Sequence, residues 1–420
     1  MTGNPAPDSG HPRKSDGTDR SPQPGWLVAD DSKEWTPDRQ VLVTGGGVAG
    51  TVLAGLLRQA GYDPVLVGDD GRFDQRLSYL LPETLRLLDA IGVDGIRRRG
   101  SAFDGVTVGR VDGGTGSPTD AEDGTVLTVG AERERPFVVE TDELVRVLGD
   151  RMPDGKWRPE RSVDAINRRD DALRVRFDDG IEEWFDVVVD AGGGESIRFA
   201  GNRGRGTTTL GQYHLPVDVD GAPRDRVLEA WRDGAFVELI PRPASDRSLL
   251  RVTSSETDAV TDAAVRRWFA ALPGDLPVAS ASGSADEGFV PLRQAGYQRA
   301  SLSPDLWGAD RVLSCGPAGF PVVPAGGLRT ALAVEDGWVL ADELARGPRT
   351  VSAAAAYGRR RSRRLTELFR SFEELASNFA YPLPDPGSPL SAVGRLRLLA
   401  LAQSTGSAGT AGGDDPFDRL

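Results

Sequence analysis

Cysteine, histidine and lysine are almost missing from this chain of 420 residues. A lone cysteine, Cys315, excludes a disulfide framework, and with only His11 and His214 beside it a structural zinc site lacks ligands. A mechanism resting on histidine would have His214 alone to use, because His11 lies in a polar N-terminal stretch; His214 reads as structural. Cys315 ends the apolar run "RVLSC" and reads as a small buried hydrophobe. No run of eighteen apolar residues is present, which excludes a membrane-spanning helix. The N-terminus has no apolar signal-peptide core, so the expected location is cytoplasmic.

Lys14, Lys33 and Lys156 are the only lysines; every other basic residue is arginine. Aspartate outnumbers glutamate about twofold, and the net charge is −13. An acidic, lysine-poor surface suits a halophilic cytoplasm, where salt screens the repulsion between like charges. A GC-rich genome would explain the loss of lysine but not the excess of aspartate. The same surface argues against nucleic acid as a partner.

With 39% hydrophobic residues, the chain can bury one large core or two intimate ones. Residues 1–38 and 403–420 are Gly-, Pro-, Ser- and Asp-rich without periodicity and are expected to be disordered tails. Between them, "QVLVT" (40–44) meets "GGGVAG" (45–50). Val48, Val52, Leu53, Leu56, Leu57 and Ala60 then recur at helical spacing, Gly61 stops the helix, and "PVLVG" (64–68) is a second strand. Helices are expected over 81–93, 142–152, 262–272, 326–346 and 351–378. Short β-like runs occupy 103–140, a meander runs through "ALRVRFDDG" and "WFDVVVDAGGG", and more strands follow over 207–254. The fold class is therefore mixed α/β and α+β. A Rossmann-type domain of three layers (39–205) is interrupted by a mostly antiparallel substrate-domain sheet (206–300), completed by 301–347, and followed by C-terminal helices (348–402).

Gly45, Gly47 and Gly50 form G-x-G-x-x-G between an apolar strand and an apolar-striped helix, the context that gives this pattern meaning. The glycines permit a tight turn, close approach of a pyrophosphate, and close helix–strand packing. The helix start, with Val48 and Ala49, turns bare N–H groups toward the phosphates. The ribose-binding acid expected at the end of the second strand falls at Gly68. Asp69 and Asp70 come one and two residues later; where the chain curls at the strand end, Asp69 can reach.

Three stretches in order, the turn at 45–50, "FDVVVDAGGGESIR" (185–198) and "RVLSCGPAGFPVVPAGGLRTALAVEDGWVLADELA" (311–345), resemble the FAD-dependent aromatic-ring monooxygenases, the group that includes p-hydroxybenzoate hydroxylase. "AAAAYGRRRSRR" (353–364) resembles the tyrosine–arginine run that follows in that family. The resemblance covers about 39–375 and implies FAD as cofactor, with NAD(P)H as a possible reductant. It places flavin contacts at Gly316, Pro324, Gly326, Gly327 and Leu328, with Leu328, Leu332 and Val339 on the face of the following helix that packs on the sheet. Several family positions are changed. The aspartate of the second stretch falls at Gly192, that of the third at Pro317, the frequent histidine at Phe320 and a turn glycine at Arg329. A hydrogen bond to a charged group contributes about 1.5–3 kcal/mol, so FAD would need Asp69, Ser196, Arg198 or backbone groups in compensation.

Flavin chemistry requires few protein side chains, so the missing His and Cys clusters do not oppose it. Tyr213, His214, Trp231, Phe236, Arg293 and Tyr297 are the polar or aromatic residues of the expected substrate sheet; each taken singly reads as ordinary packing, and none is assigned a catalytic role. The arginine run at 359–364 reads as intrahelical ion pairing rather than a nucleic-acid patch. The leading expectation is an FAD-dependent oxidoreductase, monooxygenase-like, acting on a small apolar or aromatic molecule. A degenerate member of the fold that binds little or no flavin, acting as a ligand-binding or scaffold protein, is the alternative. An NAD-dependent dehydrogenase is a third reading that the C-terminal stretch disfavours.

Overall fold

The computed structural model describes residues 40–362 except 69–76, 81, 109–124, 128–134, 170–171, 193–208, 233–234, 244, 255–260, 273–275, 277, 282–288, 294–306, 310, 319–327 and 347–351. Both expected tails, Asp69, Ser196, Arg198, Tyr297, Phe320, Pro324, Gly326 and Gly327 therefore lie outside the described residues.

The central strand β1 (Gln40–Thr44) is apolar on both faces, as a strand covered from two sides must be. It lies between β2 (Asp63–Val67) and β12 (Val187–Asp190), parallel to both. The sheet continues through β20 (Val312–Ser314) and β19 (Gly308–Ala309) on one side and β8 (Trp157–Arg158) on the other. One face carries Val41, Val43 and Val189 against helix α1 (Val48–Gln59) and the long helix Leu328–Arg346. The opposite face carries Leu42, Val65, Val67 and Val188 against Leu173, Val175 and Phe185. Those three belong to the antiparallel sheet of β9 (Val163–Arg169), β10 (Ala172–Phe177) and β11 (Glu182–Phe185). The result is three layers, as the sequence suggested.

A small sheet of β3 (Leu77–Leu80), β4 (Ser101–Ala102) and β7 (Phe137–Glu140) joins this body to a large one. The large sheet contains β5 (Gly105–Val108), β6 (Thr125–Leu127), β13 (Thr209–Val219), β14 (Arg226–Arg232), β15 (Ala235–Pro241), β16 (Ser248–Ser254), β17 (Val278–Ala281) and β18 (Phe289–Arg293). Its pairings are antiparallel except β5 with β14. Leu215, Leu250, Leu239 and Leu228 lie opposite one another across its four central strands and pack under α4 (Asp262–Phe269), which brings Trp268 and Phe269. Thr261 caps α4 by accepting from the Ala264 N–H. Helices α2 (Pro82–Ala90) and α3 (Thr141–Gly149) lie where the periodicity put them.

Two sequence expectations change. "WFDVVVDAGGG" does not stay in one meander: it divides at Asp186, leaving β11 in the outer antiparallel sheet and sending β12 beside β1. The continuous apolarity of "VVV" is the reason, since all of it is buried in β12, whereas β11 alternates. The arginines near 360 do not pair only within their own helix. In the helix over 352–362, Arg360 reaches Asp342 at 2.7 Å and Glu343 at 2.8 Å on the long helix. Arg361, fully buried, reaches Glu335 at 3.3 Å and also contacts Asp336. The helix packs with those side chains turned inward toward an acidic face, so burial selects interhelical partners.

Candidate functional site

Three turns meet at the C-terminal ends of β1, β12 and β20, the place where open α/β sheets bind ligands. The first follows β1. Gly45 has φ +100°, a left-handed conformation that side chains disfavour, and a Cβ there would stand 2.5 Å from the Gly192 Cα. A Cβ on Gly50 would lie 2.0 Å from the Gly45 carbonyl oxygen. The Gly45 N–H donates to the Val67 carbonyl, which ties the turn to β2. Gly47 is the N-cap of α1, with extended backbone, no side-chain cap and no acidic residue in the first turn. The start of α1, with Val48, Ala49 and Gly50, thus keeps its positive end clear for an anion.

The second turn follows β12. Asp190 is buried at the strand end, in register with Thr44 of β1 and Ser314 of β20. Its Oδ1 accepts the Gly192 N–H at 3.0 Å and the Thr44 hydroxyl at 3.4 Å. Sequence reasoning counted this stretch as having lost its acid at Gly192. A carboxylate is present two residues earlier, folded back onto the same turn. The signal was visible in "VVVD", an acid closing an otherwise apolar strand. The third turn is the 3-10 segment Gly316–Ala318, entered with φ +62° at Gly316. A Cβ on Gly316 would sit 2.8 Å from the Ala49 Cβ, so this turn lies directly on the first turn of α1.

Gly68 also belongs to the cradle. It has φ +105°, and a Cβ would stand 3.1 Å from the Gly45 nitrogen. An acid at 68 would be strained and would crowd the first turn; glycine fits because two backbone segments pass close together. Of the expected cofactor residues, Gly45, Gly47, Val48, Ala49, Gly50 and Gly316 are brought together. Leu328 opens the long helix. The shape and donor set suit a dinucleotide: an uncapped helix N-terminus behind a turn that admits no side chain.

The expected substrate-sheet residues part company. Tyr213 faces α4 and stacks near Trp268, 5.3 Å between ring centroids, so it belongs to the outer core. His214 and Phe236 point to the opposite face. Phe236 joins the core of the parallel-sheet body. Trp231 and Arg293 lie in β14 and β18, and their side chains are outside the described set. A feature missed from sequence runs across this face: His214, Arg251, Glu238 and Glu229 stand opposite one another on four adjacent strands, all buried. Arg251 donates to both Glu238 oxygens, at 2.6 and 2.7 Å, and to the Leu77 carbonyl at 3.4 Å. Its guanidinium stacks 5.2 Å from the Tyr79 ring centroid, so it fastens the large sheet to β3. Burial works against the charge on Arg251, but the Glu238 carboxylate, through charge and hydrogen bonding, outweighs it and holds Arg251 firmly protonated.

Beneath the third turn, Asp336 of the long helix accepts the Gly316 N–H at 2.7 Å. Burial raises its carboxyl to about 6 against the opposing pull of Arg361. Burial likewise pushes the Cys315 thiol and the Tyr357 hydroxyl well up, so Cys315 is the inert hydrophobe expected from sequence. Among the described residues, no group of His, Cys, Asp and Glu could hold a metal ion. Nor is any described helix long and apolar enough to cross a membrane.

Comparison with known proteins agrees with this geometry. The family model for an FAD binding domain matches residues 38–176. A 3-amino-4-hydroxybenzoate 2-monooxygenase, PtmB3 of Streptomyces platensis, is 26% identical over 371 residues, covering 82% of this chain and 89% of its own. Among solved structures, Klebsiella pneumoniae HpxO complexed with FAD and uric acid has a TM-score of 0.66 at 19% identity, over 88% of this chain and 94% of that one. PqsL, a probable FAD-dependent monooxygenase from Pseudomonas aeruginosa, has a TM-score of 0.65 at 21% identity, over 85% and 99%. The three-turn cradle, the order of its motifs and these relatives agree: the chain carries an FAD binding domain over residues 38–176 and is similar over most of its length to FAD-dependent aromatic-ring monooxygenases.

Proposed function

We propose that this protein hydroxylates a small aromatic compound, using FAD, dioxygen and NAD(P)H. A ring C–H becomes C–OH, the second oxygen atom leaves as water, and NAD(P)H supplies the two electrons. The observation that carries this reading is the convergence of Gly45, Gly50, Gly192 and Gly316 around the uncapped start of α1. FAD, when bound, supplies the redox chemistry and the activation of oxygen.

The chain's own work is to bind, orient and exclude water. The first turn and the α1 N-terminus would hold the pyrophosphate. Asp190 keeps the second turn folded against the first, and Gly316–Ala318 would meet the ribityl chain through backbone, because Pro317 offers neither a carboxylate nor an N–H. The buried face of the large sheet with Phe236 and Thr253 would close the reaction off from solvent. Relatives that act on an amino-hydroxybenzoate support a substituted aromatic acid as the substrate class.

The test is direct. The purified protein is expected to show flavin absorption bands, or to take up FAD on titration with one-to-one stoichiometry. NAD(P)H should bleach those bands, and an aminohydroxybenzoate or hydroxybenzoate should accelerate the bleaching and yield a product heavier by one oxygen. A colourless protein that takes up no FAD would leave the fold serving as a scaffold or ligand carrier. Reduction without a heavier product would point to an oxidase or reductase.

A further inference from the structure

We propose that Asp336 is a positioning residue for the dinucleotide, its carboxylate fixing the Gly316–Ala318 backbone against the first turn of α1; this rests on the FAD reading above. The residue stands at a three-way junction. Its Oδ2 accepts the Gly316 N–H. Its chain neighbour Gly337 brings the long helix onto α1, where a Cβ would lie 3.0 Å from Val52 Cγ1 and 3.3 Å from the Leu53 nitrogen. Gly316 in turn rests on Ala49. One carboxylate therefore connects the turn that carries Pro317, the helix whose start faces the phosphates, and the helix that opens at Leu328. With Pro317 in the turn, its contact with a ligand is made by backbone. Backbone placement then decides affinity, and Asp336 sets that placement.

Among the described residues, the following groups surround Asp336. Arg361 approaches from helix 352–362, and Glu335 is the preceding residue on the long helix. The Cys315 thiol, just past the end of β20, and the Tyr357 hydroxyl of helix 352–362 face it, with Asp190 beyond Cys315. Arg361 thus contacts both carboxylates, and Asp336 is the more deeply buried of them. Desolvation, opposed by Arg361, moves its titration up to about 6. The native state then binds more protons than the unfolded chain between the ordinary carboxylate range and pH 6. Lowering the pH through that window strengthens this group's own contribution to folding. The same protonation removes the charged acceptor from the Gly316 N–H. Fold stability and FAD affinity should respond to Asp336 in opposite directions, which a merely structural carboxylate would not produce.

FAD titration of the full chain from pH 8 to 5.5, alongside Asp336→Asn, tests this. The wild type should lose about tenfold in FAD affinity as the pH falls through 6, the loss expected for one charge-assisted hydrogen bond. Asp336→Asn should bind about tenfold more weakly at pH 8 and show a flat profile. Relative to that variant, the wild type's thermal midpoint should rise as the pH falls. Parallel pH profiles with equal affinities would overturn the proposal. If the variant does not fold, the wild type alone decides: tight binding that is flat with pH, with far-ultraviolet circular dichroism unchanged, also overturns it. Such a result would leave the FAD reading intact. Absence of FAD binding by the wild type at every pH would overturn both.

Discussion

Arg251→Met should destabilise the protein by about 3–5 kcal/mol, because it strands the Glu238 carboxylate in the interior. Glu238 and Arg251 are each essentially inaccessible to solvent, and the arginine also donates to the Leu77 carbonyl across the junction with β3. Removing the cation therefore leaves both a buried anion and a buried carbonyl without that donor. The companion change, Glu238→Leu in the Arg251→Met background, should recover most of the loss, since a well-packed apolar pair often matches a buried ion pair. Denaturant unfolding of the two single variants and the double variant gives the coupling energy. Equal and additive losses would show that the pair does not act as a unit. The expected asymmetry, a large single-variant cost and a small double-variant cost, distinguishes charge burial from simple loss of volume.

The second large effect belongs to the first turn. Gly50→Ala places a methyl group 2.0 Å from the Gly45 carbonyl oxygen, a collision of backbone with Cβ that no rotamer can relieve. The turn must open, at about 1–3 kcal/mol by analogy with overpacking. Expressed as FAD affinity, that is roughly a tenfold to hundredfold loss. Gly55, one and a half turns further along the same helix, is the control: a Cβ there meets nothing within 4 Å. Gly55→Ala should leave FAD affinity unchanged and raise stability by about 0.5–1 kcal/mol through helix propensity. Isothermal titration with FAD and thermal melts of both variants separate the two outcomes. Similar FAD affinities for the two variants would contradict the tight-turn reading.

The contrast between these two sites also marks what sequence could reveal. The first turn was legible because its physics is local. Strand, glycines and striped helix are consecutive, and each has a compositional cause. The Arg251–Glu238 pair was not, because it depends on β15 and β16 being neighbours in a particular register, a fact of tertiary pairing. The row from His214 to Glu229 is further hidden: its members come from four strands and alternate with apolar residues that dominate the pattern. Asp190 lay between these cases. Aligning the acid by motif position pointed to Gly192, whereas its carboxylate reaches that residue's N–H from two positions away. Motif position tracks the backbone, but a hydrogen bond tracks where the oxygen ends up. The arginine run erred in the same sense. Its charges were read along one helix, while burial had turned Arg360 and Arg361 toward another.

The order of the six-stranded sheet, β19-β20-β12-β1-β2-β8, has a kinetic meaning. Among the described strands β1 comes first, and its second neighbour, β12, follows only 146 residues later, as the Thr44–Asp190 contact shows. β20 follows only after the whole large sheet has been made, and the long helix that covers α1 comes later still. β5 likewise stays without β14 until more than a hundred further residues have appeared. Until then the apolar faces of β1 and α1 are open, so the nascent chain passes through a long interval in which its stickiest surface has no cover. Such high sequence separation predicts slow refolding and a dependence of soluble yield on translation speed and on chaperones.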